Sequence, residues 1–89
     1  MKENNQIALD RINKCIKDKL TILILSELSL TALPPEIGKC NHLERVDLAN
    51  NQFSVLPPEI GLCTKLEWII LEQGKIELLP ENLRKLVTN

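Results

Sequence analysis

Aromatic side chains are almost absent from this sequence, which has one Phe, one Trp and no Tyr among its 89 residues. Apolar residues still make up 44% of the chain, so any core must be built from aliphatic side chains. Glycine is also scarce, with three residues in all. Three scattered glycines exclude the glycine-rich loop that cradles phosphate groups in many nucleotide-binding proteins.

An excess of charge of one sign is lacking too, because 11 Lys and Arg residues face 12 Asp and Glu residues for a net charge of −1. Without a strong positive field, the composition gives no support to nucleic-acid binding. A local basic bias near the start is diluted by Asp10 and Asp18. We interpret it as a solvated helix face in preference to a membrane or nucleic-acid patch. Its members are Arg11, Lys14, Lys17 and Lys19.

Long hydrophobic runs are missing. The longest apolar stretch, from Leu20 to Leu25, is interrupted by Thr21, whereas a membrane-spanning helix needs ~20 apolar residues. The residues after Met1 are polar up to Asn5 and lead into no apolar signal core. The three cysteines are an odd number without close spacing, which is typical of a reducing compartment. We therefore expect a cytoplasmic protein without a membrane span.

The main positive feature is an internal repeat with a period of 23 residues. Shifted by this interval, the chain matches itself at most apolar positions, and Pro-Pro-Glu-Ile-Gly occurs twice, at 34–38 and 57–61. The period predicts a repeat domain at 20–89, preceded by a separate segment at 1–19. The domain divides into three repeats, 20–42, 43–65 and 66–88. Three repeats are about the minimum for a stable stack, because each buries its apolar face against the next.

One repeat can be interpreted physically. Residues 43–48 predict a short strand whose alternate side chains point inwards. Asn51 offers an amide that can bond backbone groups where the chain turns. The prolines at 57–58 force an extended path and end the strand ladder, and the next strand then begins about 4.8 Å away in a parallel sheet. Gly38 and Gly61 are interpreted as turn positions that need freedom from a Cβ clash.

This pattern resembles the leucine-rich-repeat family, whose core is L-x-x-L-x-L-x-x-N-x-L, and its L-P-P-E-I-G tail resembles the intracellular, Ras-suppressor-like subclass. The resemblance covers 20–88 and implies an α/β fold, a short right-handed solenoid with a parallel three-stranded concave sheet. It also implies a non-catalytic module that binds a protein partner on the concave face, with signalling GTPases or their effectors as candidates. Only Asn51 fits the asparagine position, which Leu28 and Gly74 occupy in the outer repeats.

The segment before the repeats has a helical pattern over residues 5–19, with Asn4 or Asn5 available to cap its start. Its apolar residues recur at intervals of three and four, so they share one helix face. We expect this helix to cap the open edge of the first strand. A free amphipathic helix for membrane or partner docking is the alternative. The apolar face comprises Ile7, Ala8, Ile12, Cys15 and Ile16.

The other end of the stack is expected to lack a cover, because Asn89 stands where the leucine of a fourth repeat would be. The third repeat should then be partly exposed on its far side. Either the chain is part of a longer solenoid, or self-association buries this edge, and we favour a homo-oligomer. The residues expected to be partly exposed are Leu66, Ile69, Leu71, Ile76 and Leu79.

Strand residues that alternate with the buried ones should face the concave surface, and they include the only Trp. Trp and Arg are the residue types that most often anchor interfaces, and Arg45 could rest against the Trp68 ring. The alternatives are that β-branched residues simply suit strands, or that Trp68 serves assembly. The predicted partner-binding residues are Ile22, Ile24, Arg45, Asp47, Trp68, Ile70 and Glu72.

Catalytic chemistry is not indicated, since the one histidine has no candidate nucleophile beside it, and no cofactor is implied. Cys40, His42 and Cys63 could be nominated as metal ligands, but His42 should point outwards, Cys40 inwards, and a fourth ligand is missing. Buried cysteines acting as small hydrophobes explain them better. Besides an interaction module, two functions stay open: a structural self-associating solenoid unit, and the recognition part of a larger enzyme or effector.

Overall fold

Short strands recur along the chain at the interval of the repeat, and a computed structural model, which describes residues 4–88, places them side by side. The strands are β1 (Ile22–Ile24), β2 (Arg45–Asp47), β3 (Trp68–Ile70) and β4 (Val87–Thr88). They form one sheet in the order β1-β2-β3-β4, and every neighbouring pair is parallel. The parallel sheet and its helical connections constitute an α/β repeat fold.

The register of the sheet follows the repeat. Leu23 pairs with Val46, and Val46 pairs with Ile69, so each rung lies one period from the last. These three side chains are buried, while the residues on either side of them point away from the core. Aliphatic residues thus form a continuous core between the sheet and the connecting segments.

The connections between strands contain four 3₁₀ helices, Pro35–Lys39, Pro58–Leu62, Gln73–Leu78 and Glu81–Leu86. Three of them follow a proline at the preceding position, and a proline holds the chain extended before the turn begins. Each helix is five or six residues long. Such short pieces suit 3₁₀ geometry, and they return the chain quickly to the next strand.

Gly38 and Gly61 lie inside the first two of these helices, and neither has a positive φ. A Cβ atom at Gly38 would lie 3.0 Å from the carbonyl oxygen of Glu59 and 3.1 Å from Cδ1 of Leu62. At Gly61 the nearest atom would be Cγ of Pro80, at an ordinary 3.8 Å. The predicted need to avoid a Cβ clash is therefore supported at Gly38 and wrong at Gly61, and both glycines lie in short 3₁₀ segments between strands.

The chain begins with helix α1 (Asn4–Asp18), close to the predicted span of 5–19. Its buried residues, Ala8, Ile12 and Cys15, pack the helix against β1 and the first 3₁₀ helix. Arg11 donates a hydrogen bond to the carbonyl of Ile24 at 3.0 Å, and this carbonyl lies on the edge strand of the sheet. The apolar helix face thus packs on the first repeat.

The expected three-stranded sheet is wrong, because β4 adds a fourth strand beyond β3. Val87 pairs with Ile69 and Thr88 pairs with Ile70, an offset of 18 residues where earlier rungs are offset by 23. The chain passes directly from Glu81–Leu86 into the strand, which shortens the last connection. Asn89, where a fourth repeat leucine was expected, lies outside the described residues.

The expected exposure of the third repeat is wrong for the same reason. The two final 3₁₀ helices and β4 cover its far side, and Val87 and Leu86 pack against the core. Of the five residues expected to be partly exposed, only Ile76 retains intermediate exposure. The other four are buried: Leu66, Ile69, Leu71 and Leu79.

Asn51 is the single buried polar side chain in the part of the chain that the structure describes. Its amide joins the first two repeats, because Oδ1 accepts two backbone N–H bonds and Nδ2 donates to three carbonyls. The side chain is therefore fully satisfied although it is buried. The N–H partners are Leu28 at 3.1 Å and Leu30 at 3.0 Å; the carbonyls are Leu25 at 2.9 Å, Leu48 at 3.0 Å and Ala49 at 3.3 Å.

The third repeat has Gly74 at the corresponding position and connects to its neighbour differently. Glu72 Oε2 accepts the backbone N–H of Asn50 at 2.7 Å. Lys75 Nζ donates to the carbonyl of Phe53 at 2.7 Å. Two charged side chains thus bond the backbone turn of the second repeat, where no asparagine amide is available.

Candidate functional site

The seven predicted site residues lie together on the outer face of the sheet, and we call this set the sheet surface. Ile22, Arg45 and Trp68 form one row across the strands, and Ile24, Asp47 and Ile70 form the next. Glu72 follows β3, one rung from Ala49 by the repeat period. Strand alternation alone accounts for this grouping.

Large apolar side chains are unusually accessible on the sheet surface. Ile22 and Ile24 are 50% and 49% exposed, and Trp68 is 38% exposed. Ile70 is partly buried. Ile22 and Ile24 are neighbours on β1, whereas Arg45 and Asp47 of β2 separate them from Trp68, so exposed apolar side chains flank a charged central strand.

The guanidinium carbon of Arg45 lies 4.9 Å from the centroid of the Trp68 ring, within the range of a cation–π contact. This contact was anticipated from the sequence and restrains a side chain that would otherwise be mobile. Within residues 4–88 the Arg45 side chain forms no hydrogen bond and no ion pair, so Asp47 is not its partner. Its N–H donors are therefore available to a ligand.

Acidic groups occupy the opposite end of the sheet surface. Asp47 Oδ1 accepts the N–H of Ala49 at 3.0 Å, and Glu72 Oε2 holds Asn50. Glu72 Oε1 is shielded from solvent and accepts no hydrogen bond from any of residues 4–88. Beside it lies a mostly apolar concavity of about 300 Å³. The concavity is lined by Ala49, Asn50, Ile70, Leu71, Glu72 and Gln73.

A second concavity, of about 180 Å³, lies where α1 meets β1. Arg11 and Lys14 place basic groups there, next to Ile22 and Ile24. Lys14 also pairs with Asp18 at 3.0 Å on the exposed helix face. Sequence reasoning missed both residues as neighbours of the site. In the sequence, Arg11 and Lys14 belong only to a basic segment near the start of the chain. That segment does not indicate where the helix packs on the sheet.

The three cysteines are buried and not in disulfides. Burial raises the pKa of Cys40 to about 12, with a further rise from Cys15. Burial also raises the pKa of Cys63 to about 11 and that of Cys15. Nucleophilic chemistry needs a thiolate, so these thiols are suited to packing. His42 is exposed and does not converge with them, and no group of three His, Cys, Asp or Glu residues within 4–88 is arranged to hold a metal ion.

These thiols predict a loss of stability at alkaline pH. In the folded chain Cys40 and Cys63 keep their protons up to about pH 11, whereas unfolded thiols lose theirs near 9.0. The folded state then binds more protons, so the free energy of unfolding is retained below about pH 9 and falls as the pH rises above it. Urea unfolding at about pH 8 and about pH 10 measures the decline.

The matched variant for this pH dependence is Cys40→Ala combined with Cys63→Ala. It should be less stable at neutral pH because the core is depleted, but its stability should decline less between the two pH values. An equal decline in both proteins would mean that other groups dominate alkaline unfolding.

Parallel strands and short helical connections in register define a repeat architecture. Comparison with known protein families relates this architecture to one of them. The family model described as Leucine Rich Repeat matches residues 42–63, which contain β2, Asn51 and the second Pro-Pro-Glu-Ile-Gly segment. The match supports the leucine-rich-repeat family, whose domains generally mediate protein–protein interaction and are typically non-catalytic. No curated protein matches the chain significantly. None of the helices in the described part of the chain is both long and apolar enough to cross a membrane.

Proposed function

We propose that this chain is a non-catalytic, cytoplasmic module that binds a protein partner on the sheet surface. The proposal includes a right-handed solenoid of three repeats, 20–42, 43–65 and 66–88, whose sheet is concave on that face. Residues 1–19 act as its cap, and the repeats are of the Ras-suppressor-like type. Signalling GTPases or their effectors are candidate partners through the family resemblance.

One observation carries the proposal: Trp68, Ile22 and Ile24 are exposed on one face, beside an arginine that is already restrained. Burying such side chains in an interface releases water from apolar surface, which favours association. Arg45 loses little additional freedom on binding because the Trp68 ring already restricts it, and preorganisation lowers the cost of association. Aromatic and arginine anchors at the centre of a patch are typical of binding hot spots.

The role of α1 as a cap is supported by its contacts. Its buried face packs on β1, and Arg11 satisfies an edge carbonyl of the sheet. An uncovered edge strand exposes backbone groups that invite pairing with other chains. A helix that protects this edge leaves the outer face of the sheet as the surface open to a partner. The free-helix alternative has no comparable support.

The proposal is tested by replacing Trp68 with alanine. A displayed library of protein fragments is selected for binding to the full chain, and dissociation constants are measured for the selected fragments. We expect Trp68→Ala to weaken binding by at least about tenfold, because truncating a buried aromatic anchor removes a hot spot.

The matched control is Leu62→Ala, which also truncates a large exposed apolar residue, 62% accessible. Leu62 lies on the 3₁₀ helix Pro58–Leu62, across the core from the sheet surface. We expect this change to alter the dissociation constants by no more than roughly twofold. Fragments that respond to Leu62→Ala and not to Trp68→Ala would place binding on the opposite side and reject the proposed site.

Self-association through the C-terminal edge, the alternative function, loses its main support because β4 covers β3 and is itself only two residues long, and very short edge strands offer little backbone for pairing. We expect the purified chain to be monomeric by light scattering over a wide concentration range. A concentration-dependent dimer that persists in Trp68→Ala would contradict this expectation and restore an edge contact. The remaining alternative, the recognition part of a larger enzyme or effector, would use the same sheet surface.

A further inference from the structure

The sheet surface carries opposite charge at its two ends, and this order has a consequence for the partner. Arg45 opens β2, and Asp47 closes it. Glu72 lies further in the same direction, after the end of β3. On the neighbouring β3, Trp68 lies beside Arg45 and Ile70 lies beside Asp47. The surface therefore changes from basic to acidic along the strand direction, and apolar side chains lie on the two strands that flank β2.

We propose that the sheet surface selects an extended segment of a partner protein with one acidic and one basic residue about four positions apart. The acidic residue pairs with Arg45, the basic residue pairs with Glu72, and an apolar side chain between them contacts Trp68 or Ile70. This inference rests on the proposed function, because it specifies the chemistry of the partner at the same surface.

The acidic residue of the partner is placed by the geometry of Arg45. Its guanidinium lies over the Trp68 ring and makes no hydrogen bond within residues 4–88. A planar guanidinium presents paired N–H donors that match the two oxygens of a carboxylate. Arg11 and Lys14 lie beside the neighbouring Ile22, which adds two basic side chains near this end of the sheet surface.

The basic residue of the partner is placed by Glu72 and the concavity beside it. Oε2 accepts the Asn50 N–H, while Oε1 is shielded from solvent and has no donor in the described part of the chain. A small rotation of the carboxylate would bring Oε1 to the concavity, where a cation could supply the missing hydrogen bond. Ala49 and Ile70 line that concavity and would contact the methylene stem of a lysine or arginine. Asp47 adds a second negative charge nearby.

The spacing follows from the register of the sheet. Arg45 pairs with Trp68, and Glu72 lies four residues after Trp68 in the sequence. Four residues of extended chain span about 13 Å, and one step between strands adds a sideways shift of about 4.8 Å. An extended ligand has the same rise per residue, so its charged residues must also be about four positions apart. A helical ligand would need about nine residues to cover that distance.

The test is a selection from random peptides of about 12 residues, long enough to cover the ~13 Å span, with the full chain as bait. We expect the enriched peptides to combine an acidic and a basic residue at the stated spacing with an apolar residue between them. Arg45→Glu should weaken their binding by about tenfold or more. Replacing the acidic peptide residue with lysine should restore most of the affinity for Arg45→Glu, because the charges are then exchanged.

The basic end is tested with Glu72→Gln, which removes the charge but keeps an oxygen for the Asn50 N–H. Binding should weaken about tenfold for peptides with the basic residue and change little for peptides with glutamine in its place. Glu67→Gln, an exposed change next to Trp68, is the matched control and should alter binding by no more than roughly twofold.

The outcomes separate the two proposals. Peptides that require Trp68 but carry no paired charges, or that ignore Arg45→Glu and Glu72→Gln, overturn the inference and leave the proposed function standing. Peptides enriched with charges at a helical spacing of about nine residues also overturn it. A selection that yields no peptide, or only peptides indifferent to Trp68→Ala, overturns both.

Discussion

Replacing Asn51 with alanine is expected to lower the free energy of unfolding by about 3 kcal/mol. The substitution removes an acceptor shared by the N–H groups of Leu28 and Leu30. It also removes the donor that serves the carbonyls of the first two repeats. A buried polar group left without a partner costs about 1–3 kcal/mol, and backbone groups cannot move to water without disrupting the stack.

The size of this effect is large compared with the stability of a small domain. A chain of 89 residues is expected to be stable by only about 4–13 kcal/mol, at roughly 0.05–0.15 kcal/mol per residue. The five bonds of Asn51 are not additive, because they share one amide and because some groups gain water on relaxation. About 3 kcal/mol is nevertheless enough to remove a large share of the stability.

Urea unfolding followed by far-ultraviolet circular dichroism measures the change. Gln52→Ala is the matched control, because its side chain is exposed beside Asn51, and we expect a change within about 0.5 kcal/mol. If Asn51→Ala costs less than about 1 kcal/mol, the amide is not the main connection between the first two repeats.

The positions of β1, β2 and β3 were predictable because two periodicities agree in this sequence. Alternation of side chains within a strand assigns an inner and an outer face, and the 23-residue interval repeats that assignment three times. A shift by one residue would expose Leu23, Val46 and Ile69 together, so the register is strongly specified. The same logic grouped Arg45 and Trp68 on one row.

The fourth strand could not be predicted from the period, since it occurs where the period fails. Extending the interval from Leu66 points to Asn89, but the chain returns to the sheet at Val87. Val87 and Thr88 are both β-branched, which favours strands, yet two residues are too few for a pattern. Whether the residues after a short connection pair with β3 depends on how the last two 3₁₀ helices pack. Sequence periodicity carries no information about that packing.

The basic side of the site was missed for a related reason. The helical spacing in 5–19 predicts which residues of α1 are buried, but it does not fix where the opposite face lies relative to the sheet. Arg11 and Lys14 were interpreted as part of a solvated helix face, and both are exposed, but the spacing did not place them beside the sheet. Their position beside Ile22 and Ile24 depends on how the helix crosses the first repeat, a tertiary feature.

Replacing Gly38 with alanine is expected to lower the free energy of unfolding by about 2 kcal/mol. The new Cβ would lie 3.0 Å from the Glu59 carbonyl oxygen, which belongs to the backbone and can move only with its helix. The clash with Leu62 at 3.1 Å is less costly, since an exposed side chain can rotate away. Urea unfolding again provides the measurement.

Gly61→Ala is the matched variant, because Gly61 occupies the same position of an identical Pro-Pro-Glu-Ile-Gly segment. Its Cβ would meet Pro80 at 3.8 Å, so we expect no loss, or a gain of about 0.4–1 kcal/mol from the reduced freedom of the unfolded chain. That gain applies equally to Gly38→Ala and cancels in the comparison. If Gly38→Ala and Gly61→Ala have the same free energy of unfolding, the first two 3₁₀ helices can move apart without a cost in free energy. A difference of about 2–3 kcal/mol would instead arise from contact between repeats, since the local sequences are the same.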